Sequence, residues 1–203
     1  MDNKTPKKRA AFIDRDGVIN EDKKYLYRRE DIDYIPGSKE ALKILSARDD
    51  ILIVIVTGQS GIGRGKYTEA DFWKLMDWMK RDLETQGIRV DGIYFCPHPD
   101  RDDLYKAIPP YNVPCDCRKP RIGMIKQALA HFNEQGIEVD LKRSCCFGDK
   151  TAEVKMAENA GCLGVLVKTG YGGKEPKDRY PIEPAYVATN LRDGVRWWLA
   201  RHE

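Results

Sequence analysis

The sequence predicts an α/β fold, a parallel sheet covered by helices on both faces, and three observations predict it. Apolar runs alternate with helical patterns along the chain. Several of those runs carry no polar alternation, as strands buried on both faces require. The chain's most unusual polar residues fall just after the runs, at the carboxyl ends of the strands, where open α/β sheets bind their ligands.

Taken in order, the first strand is expected over 10–14 and ends in the carboxylates of Asp14 and Asp16. A helix follows over 38–47, then the uninterrupted apolar run at 51–57, with Thr57, Gly58, Gln59 and Ser60 at its end. The next helix is expected over 68–86. Thr68 is a good N-cap, Glu69 and Asp71 place negative charge in the first turn, and Trp73, Leu75, Met76, Trp78 and Met79 supply a packing face. A third strand at 92–95 leads into Cys96 and His98, and the segment 99–114, with four prolines, is an excursion from the sheet. Helix 123–135, strand 144–148, helix 152–160 and strand 164–168 continue the alternation. Asp149 and Lys150 follow the fourth strand, and Trp197 and Trp198 dock a last helix.

A chain of 203 residues is long enough for one α/β domain with a core and short for two, so a single domain over 1–203 is expected. Its 35 basic and 32 acidic residues are dispersed, which argues against a nucleic-acid-binding face. No apolar run reaches the length of a membrane span. The basic start, residues 1–10, runs straight into the first strand without a signal-type apolar region, so the cytoplasm is the expected location. Nothing marks an oligomer interface, and a monomer is the default.

The segment FIDRDGVIN sets two carboxylates two residues apart just past a strand, with Gly17 to allow a sharp turn. One carboxylate can serve as nucleophile and metal ligand and the other as general acid and base; taken alone, the string also suits a solvated acidic turn. Thr57 to Ser60 supply hydroxyls and a flexible backbone suited to phosphoryl oxygens. Arg118 and Lys119 add positive charge, and Asp149 beside Lys150 adds a carboxylate for a hard cation such as Mg²⁺. Gly61 to Gly65 lacks the spacing and GK[ST] ending of a P-loop, although Arg64 within it is placed to meet a distal phosphate or a sugar hydroxyl.

Cys96-x-His98 followed by Cys115-x-Cys117 offers three thiolates and one imidazole, a closed tetrahedral set for structural Zn²⁺ within a zinc-binding loop at 96–117. Such a site would close the excursion and hold Arg118 and Lys119 over the active site. Cys145, Cys146 and Cys162 are expected as small core residues, and His131 and His202 as ordinary residues.

In order, FIDRDGVIN, VTGQSGIGRG, YFCPH, CDCRKP, FGDK and LVKTGYG resemble the haloacid dehalogenase-type phosphatases over about residues 11–172. The resemblance is closer to the branch that holds heptose bisphosphate 7-phosphatases and the histidinol-phosphatase domain. It implies a Rossmann-like sheet with a minimal cap, and a Mg²⁺-dependent phosphomonoesterase working through an aspartyl-phosphate. It also implies Asp14 as nucleophile and Asp16 as general acid and base. Mg²⁺ would lie between Asp14, the Asp16 carbonyl and Asp149; Thr57 and Lys119 would hold the phosphate, Arg118 would meet substrate, and Lys150 would orient Asp149. Two positions depart from the branch: Gly58 stands where asparagine is usual, and Glu153 where the last motif usually ends in aspartate.

The expected substrate is a small sugar phosphate, D-glycero-D-manno-heptose 1,7-bisphosphate, cleaved at its 7-phosphate. Histidinol phosphate is the alternative, disfavoured by Ser60, where that enzyme more often has aspartate. A phosphate-binding module without turnover would have lost a carboxylate, and both are present. A polynucleotide 3′-phosphatase would need a basic face studded with aromatics.

Overall fold

The computed structural model describes residues 7–176 and 180–201; residues 1–6 and His202 lie outside them. Six strands form one parallel sheet: β1 (Arg9–Ile13), β2 (Ile51–Gly58), β3 (Gly92–Cys96), β4 (Cys145–Gly148), β5 (Leu163–Val167) and β6 (Tyr186–Ala188). The principal helices are α1 (Ser38–Ser46), the short α2 (Ser60–Gly63), α3 (Glu69–Glu84), α4 (Gly123–Glu134), α5 (Thr151–Ala160) and α6 (Leu191–Ala200).

The missing polar alternation is explained by two cores, one on each face of the sheet. Along β2, Ile51, Ile53 and Ile55 face one cluster with Leu42, Phe72, Met76 and Trp198, while Leu52, Val54 and Val56 face the other with Met124, Ile125 and Phe132. Both sides of each central strand are therefore taken from water, and successive residues must all be apolar. Cys145 and Cys146 split between these two cores and carry free thiols.

The strand order is β3-β2-β1-β4-β5-β6. The chain builds outward from β1 to β3, then returns to the other side of β1 for β4, so the switch point lies between β1 and β4. Ile13 is opposite Ile55 on one side and Phe147 on the other, which brings the ends of the three central strands level.

Helix boundaries follow local chemistry. The Thr68 hydroxyl accepts from the Asp71 amide at 3.1 Å, and the Asp71 carboxylate accepts from the Thr68 amide at 2.9 Å, a reciprocal cap at the expected start of α3. At the C-terminal end Trp198 is fully buried, stands edge-on to Phe147 and donates its indole N–H to the Arg143 carbonyl at 3.1 Å. Trp197 stacks on Tyr186 of the edge strand. That strand, three residues long, is too short to show a period in the sequence. No helix among the described residues is long and apolar enough to cross a membrane.

Candidate active site

β1 delivers the first carboxylate. The Asp14 amide continues the ladder by donating to the Phe147 carbonyl at 2.9 Å, and the side chain is almost fully buried at the switch point. The chain then turns at Gly17 with φ +84°, where an added Cβ would lie 2.5 Å from Asp149 Oδ2. Only glycine meets both demands. Gly170, with φ +59°, closes in on the same oxygen and on Gly17.

Asp149, just after β4, sits in the slot between these glycines. Its Oδ2 accepts from the Tyr171 amide at 2.8 Å, whereas Oδ1 is buried and has no hydrogen-bond partner among the described residues. Burial, reinforced by the charges of Glu153 and Asp14, pushes the Asp149 carboxyl up to about 8. Burial also raises Asp14, against the pull of Lys119. Lys119 Nζ lies 2.9 Å from Asp14 Oδ1 and 3.0 Å from Glu153 Oε1. The ammonium is buried as well, but Asp14 and Glu153 together outweigh the desolvation and hold it protonated.

Three carboxylates, Asp14, Asp149 and Glu153, are thus packed around two ammonium groups, Lys119 and Lys150. An excess of buried negative charge and an orphaned carboxylate oxygen are what a hard divalent cation would satisfy, and the donor set fits Mg²⁺. Glu153 has other partners. It joins Lys119 through Oε1 and accepts from the Lys150 amide through Oε2 at 2.8 Å, so both oxygens are engaged in charge balance and in capping α5.

Asp16 points to the other wall. Arg15, fully buried between the two aspartates, donates to both its oxygens, at 3.1 Å from Nε to Oδ1 and 2.8 Å from Nη2 to Oδ2. Asn20 donates at 3.0 Å and Gln59 Nε2 at 3.0 Å. The same Gln59 nitrogen also reaches Thr57 Oγ1 at 2.7 Å, and Gln59 Oε1 accepts from the Tyr67 hydroxyl at 2.5 Å.

These groups open on a cleft of about 350 Å³ whose lining includes Asp14, Asp16, Gly58, Gln59, Ser60, Arg118, Lys119 and Lys150. Thr57 and Asp149 are fully buried and stand behind that surface. Arg64 is not brought to the cleft: its Nη2 is bound to Asp103 at 2.7 Å on the excursion, and it joins loop to loop. Gln59, expected as a phosphate contact, spends its amide on Asp16, Thr57 and Tyr67. An added Cβ at Gly58 would lie at an ordinary 3.6 Å from Arg118 Nη1, so the guanidinium stands beside the space an asparagine would use. Arg15, Asn20, Tyr67 and Glu175 were not singled out by the sequence; a buried Arg15 reads like a surface arginine when only its neighbours in the chain are known.

The four soft ligands do converge. Cys96 ends β3 and is fully buried; its Sγ is 3.8 Å from that of Cys115 and 2.9 Å from that of Cys117, and the Cys117 thiol is 3.5 Å from His98 Nδ1. All four ligand atoms lie within 4.8 Å of one another. Two sulfurs held by one tetrahedral Zn²⁺ at about 2.3 Å stand about 3.8 Å apart, as those of Cys96 and Cys115 do, while Cys117 lies closer to Cys96 than such a centre would place it. The shared hydrogen bond with Cys96 brings the Cys115 thiol down to about 5 and drives Cys96 up. The ends of the excursion are tied to the site: the Gln59 backbone N–H donates to the Cys96 carbonyl at 2.7 Å, and Arg118, next to Cys117, pairs with Asp100.

A family model described as HAD-hydrolase-like matches residues 116–194. A D-glycero-alpha-D-manno-heptose-1,7-bisphosphate 7-phosphatase of Campylobacter jejuni is 39% identical over 83% of this chain and 87% of its own length. A D-glycero-beta-D-manno-heptose-1,7-bisphosphate 7-phosphatase of Haemophilus ducreyi is 42% identical over 80% and 85%. The crystal structure of D,D-heptose 1,7-bisphosphate phosphatase from B. bronchiseptica, complexed with magnesium and phosphate, superposes with a TM-score of 0.77 at 30% identity, covering 95% of this chain and 99% of that one. On fold, site and relatives together, the chain belongs to the HAD-like hydrolases and, among them, to the heptose-1,7-bisphosphate 7-phosphatase family.

Proposed function

We propose that the protein hydrolyses the 7-phosphate of D-glycero-D-manno-heptose 1,7-bisphosphate, with Asp14 as nucleophile. The observation that carries this reading is the buried Asp14–Lys119 pair beside Asp149, whose free oxygen lies at the switch point of a chain with heptose bisphosphatase relatives.

In the first half-reaction an Asp14 oxygen attacks phosphorus, the bond from phosphorus to the sugar oxygen breaks, and Asp16 gives that oxygen its proton. In the second, Asp16 takes a proton from water as the water oxygen attacks the phosphoaspartate; inorganic phosphate leaves and Asp14 is regenerated. Lys119 already holds Asp14 and neutralises charge on the transferred group, while Lys150 and Arg118 supply positive charge along the cleft. Asp14, the Asp16 carbonyl and Asp149 would hold Mg²⁺, which would supply electrostatic stabilisation of the phosphoryl oxygens. Arg15, Asn20 and Gln59 keep Asp16 in place from behind. Cys96, His98, Cys115 and Cys117 would hold a structural Zn²⁺, which would join the two ends of the excursion and set Arg118 on the rim.

The test is kcat/KM with Mg²⁺ on both anomers of the heptose bisphosphate, histidinol phosphate and fructose 1,6-bisphosphate, alongside Asp14→Asn. The relatives include enzymes named for either anomer, so both are assayed. A preference of about tenfold or more for a heptose anomer, lost in Asp14→Asn, is expected. A best rate on histidinol phosphate, or a flat profile, would overturn the heptose assignment. No Mg²⁺-dependent phosphate release from any ester would point to a binding module instead.

A further inference from the structure

Among the acidic side chains of the cleft that the chemistry above does not use, Glu175 is the one that is buried with an oxygen left over. Glu175 lies in the loop beyond the LVKTGYG segment, is only 7% exposed, and lines the same cleft as Lys119, Lys150 and Arg118. Its two oxygens differ. Oε1 accepts from the Thr151 amide at 2.7 Å and from the Thr151 hydroxyl, at the first turn of α5. Oε2 is buried and has no hydrogen-bond partner among the described residues.

A buried carboxylate oxygen without a donor costs free energy that a bound donor would recover. The nature of that donor follows from the rest of the wall. A deprotonated phosphate oxygen has no hydrogen to donate to a carboxylate, and the cleft already offers its phosphates Lys119, Lys150 and Arg118. What remains is a neutral hydroxyl group, the other functional group that a sugar phosphate brings.

We propose that Glu175 is a specificity residue: its Oε2 accepts a hydrogen bond from a hydroxyl of the sugar. Thr151 fixes the carboxylate at Oε1 and leaves Oε2 as the acceptor held ready, which lowers the ordering cost of recognition. The inference rests on the sugar-phosphate reading above and adds the group that reads the sugar rather than the phosphate.

The experiment compares wild type, Glu175→Gln and Glu175→Asp on the better heptose bisphosphate anomer and on acetyl phosphate, which offers a phosphoryl group and no hydroxyl. Glutamine keeps an acceptor for Thr151 but can present an amide donor where Oε2 stood. The ratio of kcat/KM for the sugar to that for acetyl phosphate is expected to fall about tenfold or more in Glu175→Gln, mainly through KM. Glu175→Asp, charged but shorter, is expected to fall in the same direction by less. An unchanged ratio in both variants overturns the inference, as does an equal loss on both substrates accompanied by a lower Tm, which would make Glu175 a tether of α5 alone. Wild-type protein that hydrolyses acetyl phosphate but neither heptose anomer overturns the substrate reading itself, before any variant is compared.

Discussion

Two clusters of metal-ligating side chains stand out among the described residues, and they are built on opposite principles. The carboxylate cluster of Asp14, Asp149 and Glu153 stands on the ends of β1 and β4 and the start of α5, elements already packed on both faces. Its geometry belongs to the scaffold, which holds like charges together at a cost. The thiol cluster joins the end of β3 to Cys115 and Cys117 at the far side of a proline-rich excursion. There the ligands make the scaffold, because few apolar contacts hold the loop. Removing a group from the first should change chemistry and leave or raise stability; removing one from the second should loosen structure and change chemistry indirectly.

The largest effect should come from Asp14→Asn, with kcat lowered by on the order of 10⁴-fold or more, since the proposed nucleophile is gone. The fold should persist, shown by an unchanged or higher Tm. A large drop in Tm would break the contrast between the clusters.

Lys119→Met should come next. It leaves Asp14 and Glu153 without the ammonium that lies within 3.0 Å of both, and loss of one partner from a buried pair typically costs about 3–5 kcal/mol. Denaturant unfolding should show the loss, and added Mg²⁺ should recover part of it.

Cys115→Ser, or chelation of Zn²⁺ with Mg²⁺ restored, should expose the segment 99–114 to protease and raise KM several-fold, by about 1 kcal/mol of lost binding, with a smaller change in kcat. Metal analysis should give one Zn²⁺ per chain in the wild type. Unaltered kinetics in zinc-free protein would show that the excursion does not set Arg118.

The pH dependence sharpens the comparison further. In metal-free protein the folded Asp149 carboxyl sits at about 8, above its ordinary 3.8. Between those values the folded state keeps a proton that the unfolded state releases, so the contribution of this group to stability falls as pH rises and levels off above about 8. Below the ordinary value both states are protonated and the difference vanishes. Mg²⁺ must displace that proton at low pH, so the rise in Tm on adding Mg²⁺ should be larger at pH near 8 than near 6, and Asp149→Asn should flatten both trends. Asp14, Glu153 and Lys150 act on the same carboxyl and will broaden the transition.

The smallest effect is expected for Gly58→Asn. Its Cβ meets Arg118 Nη1 at 3.6 Å, which is ordinary contact, so kcat/KM should change by no more than about threefold and Tm by little. A large loss would show that Arg118 needs the space glycine leaves.

What the sequence determined by itself is what local pattern can encode. Unbroken apolar runs such as 51–57 can be stable only as strands buried on both faces, and a reciprocal cap at Thr68 and Asp71 needs residues three apart. Asp14, Asp149, Cys96 and His98 were legible because they follow those runs directly, Cys115 and Cys117 because their spacing repeats a metal-ligand pattern, and Lys119 through the family resemblance of the CDCRKP segment. The tertiary structure decided which partners each polar group has. Gln59 binds Asp16 across 43 positions, Arg64 is taken by Asp103 across 39, and Thr151 pins Glu175 across 24. Such pairs depend on how loops from different strands meet over one sheet edge, and no period or neighbouring residue records that meeting. For the same reason the burial of Arg15 and the free oxygen of Glu175 emerge only once the chain is closed on itself.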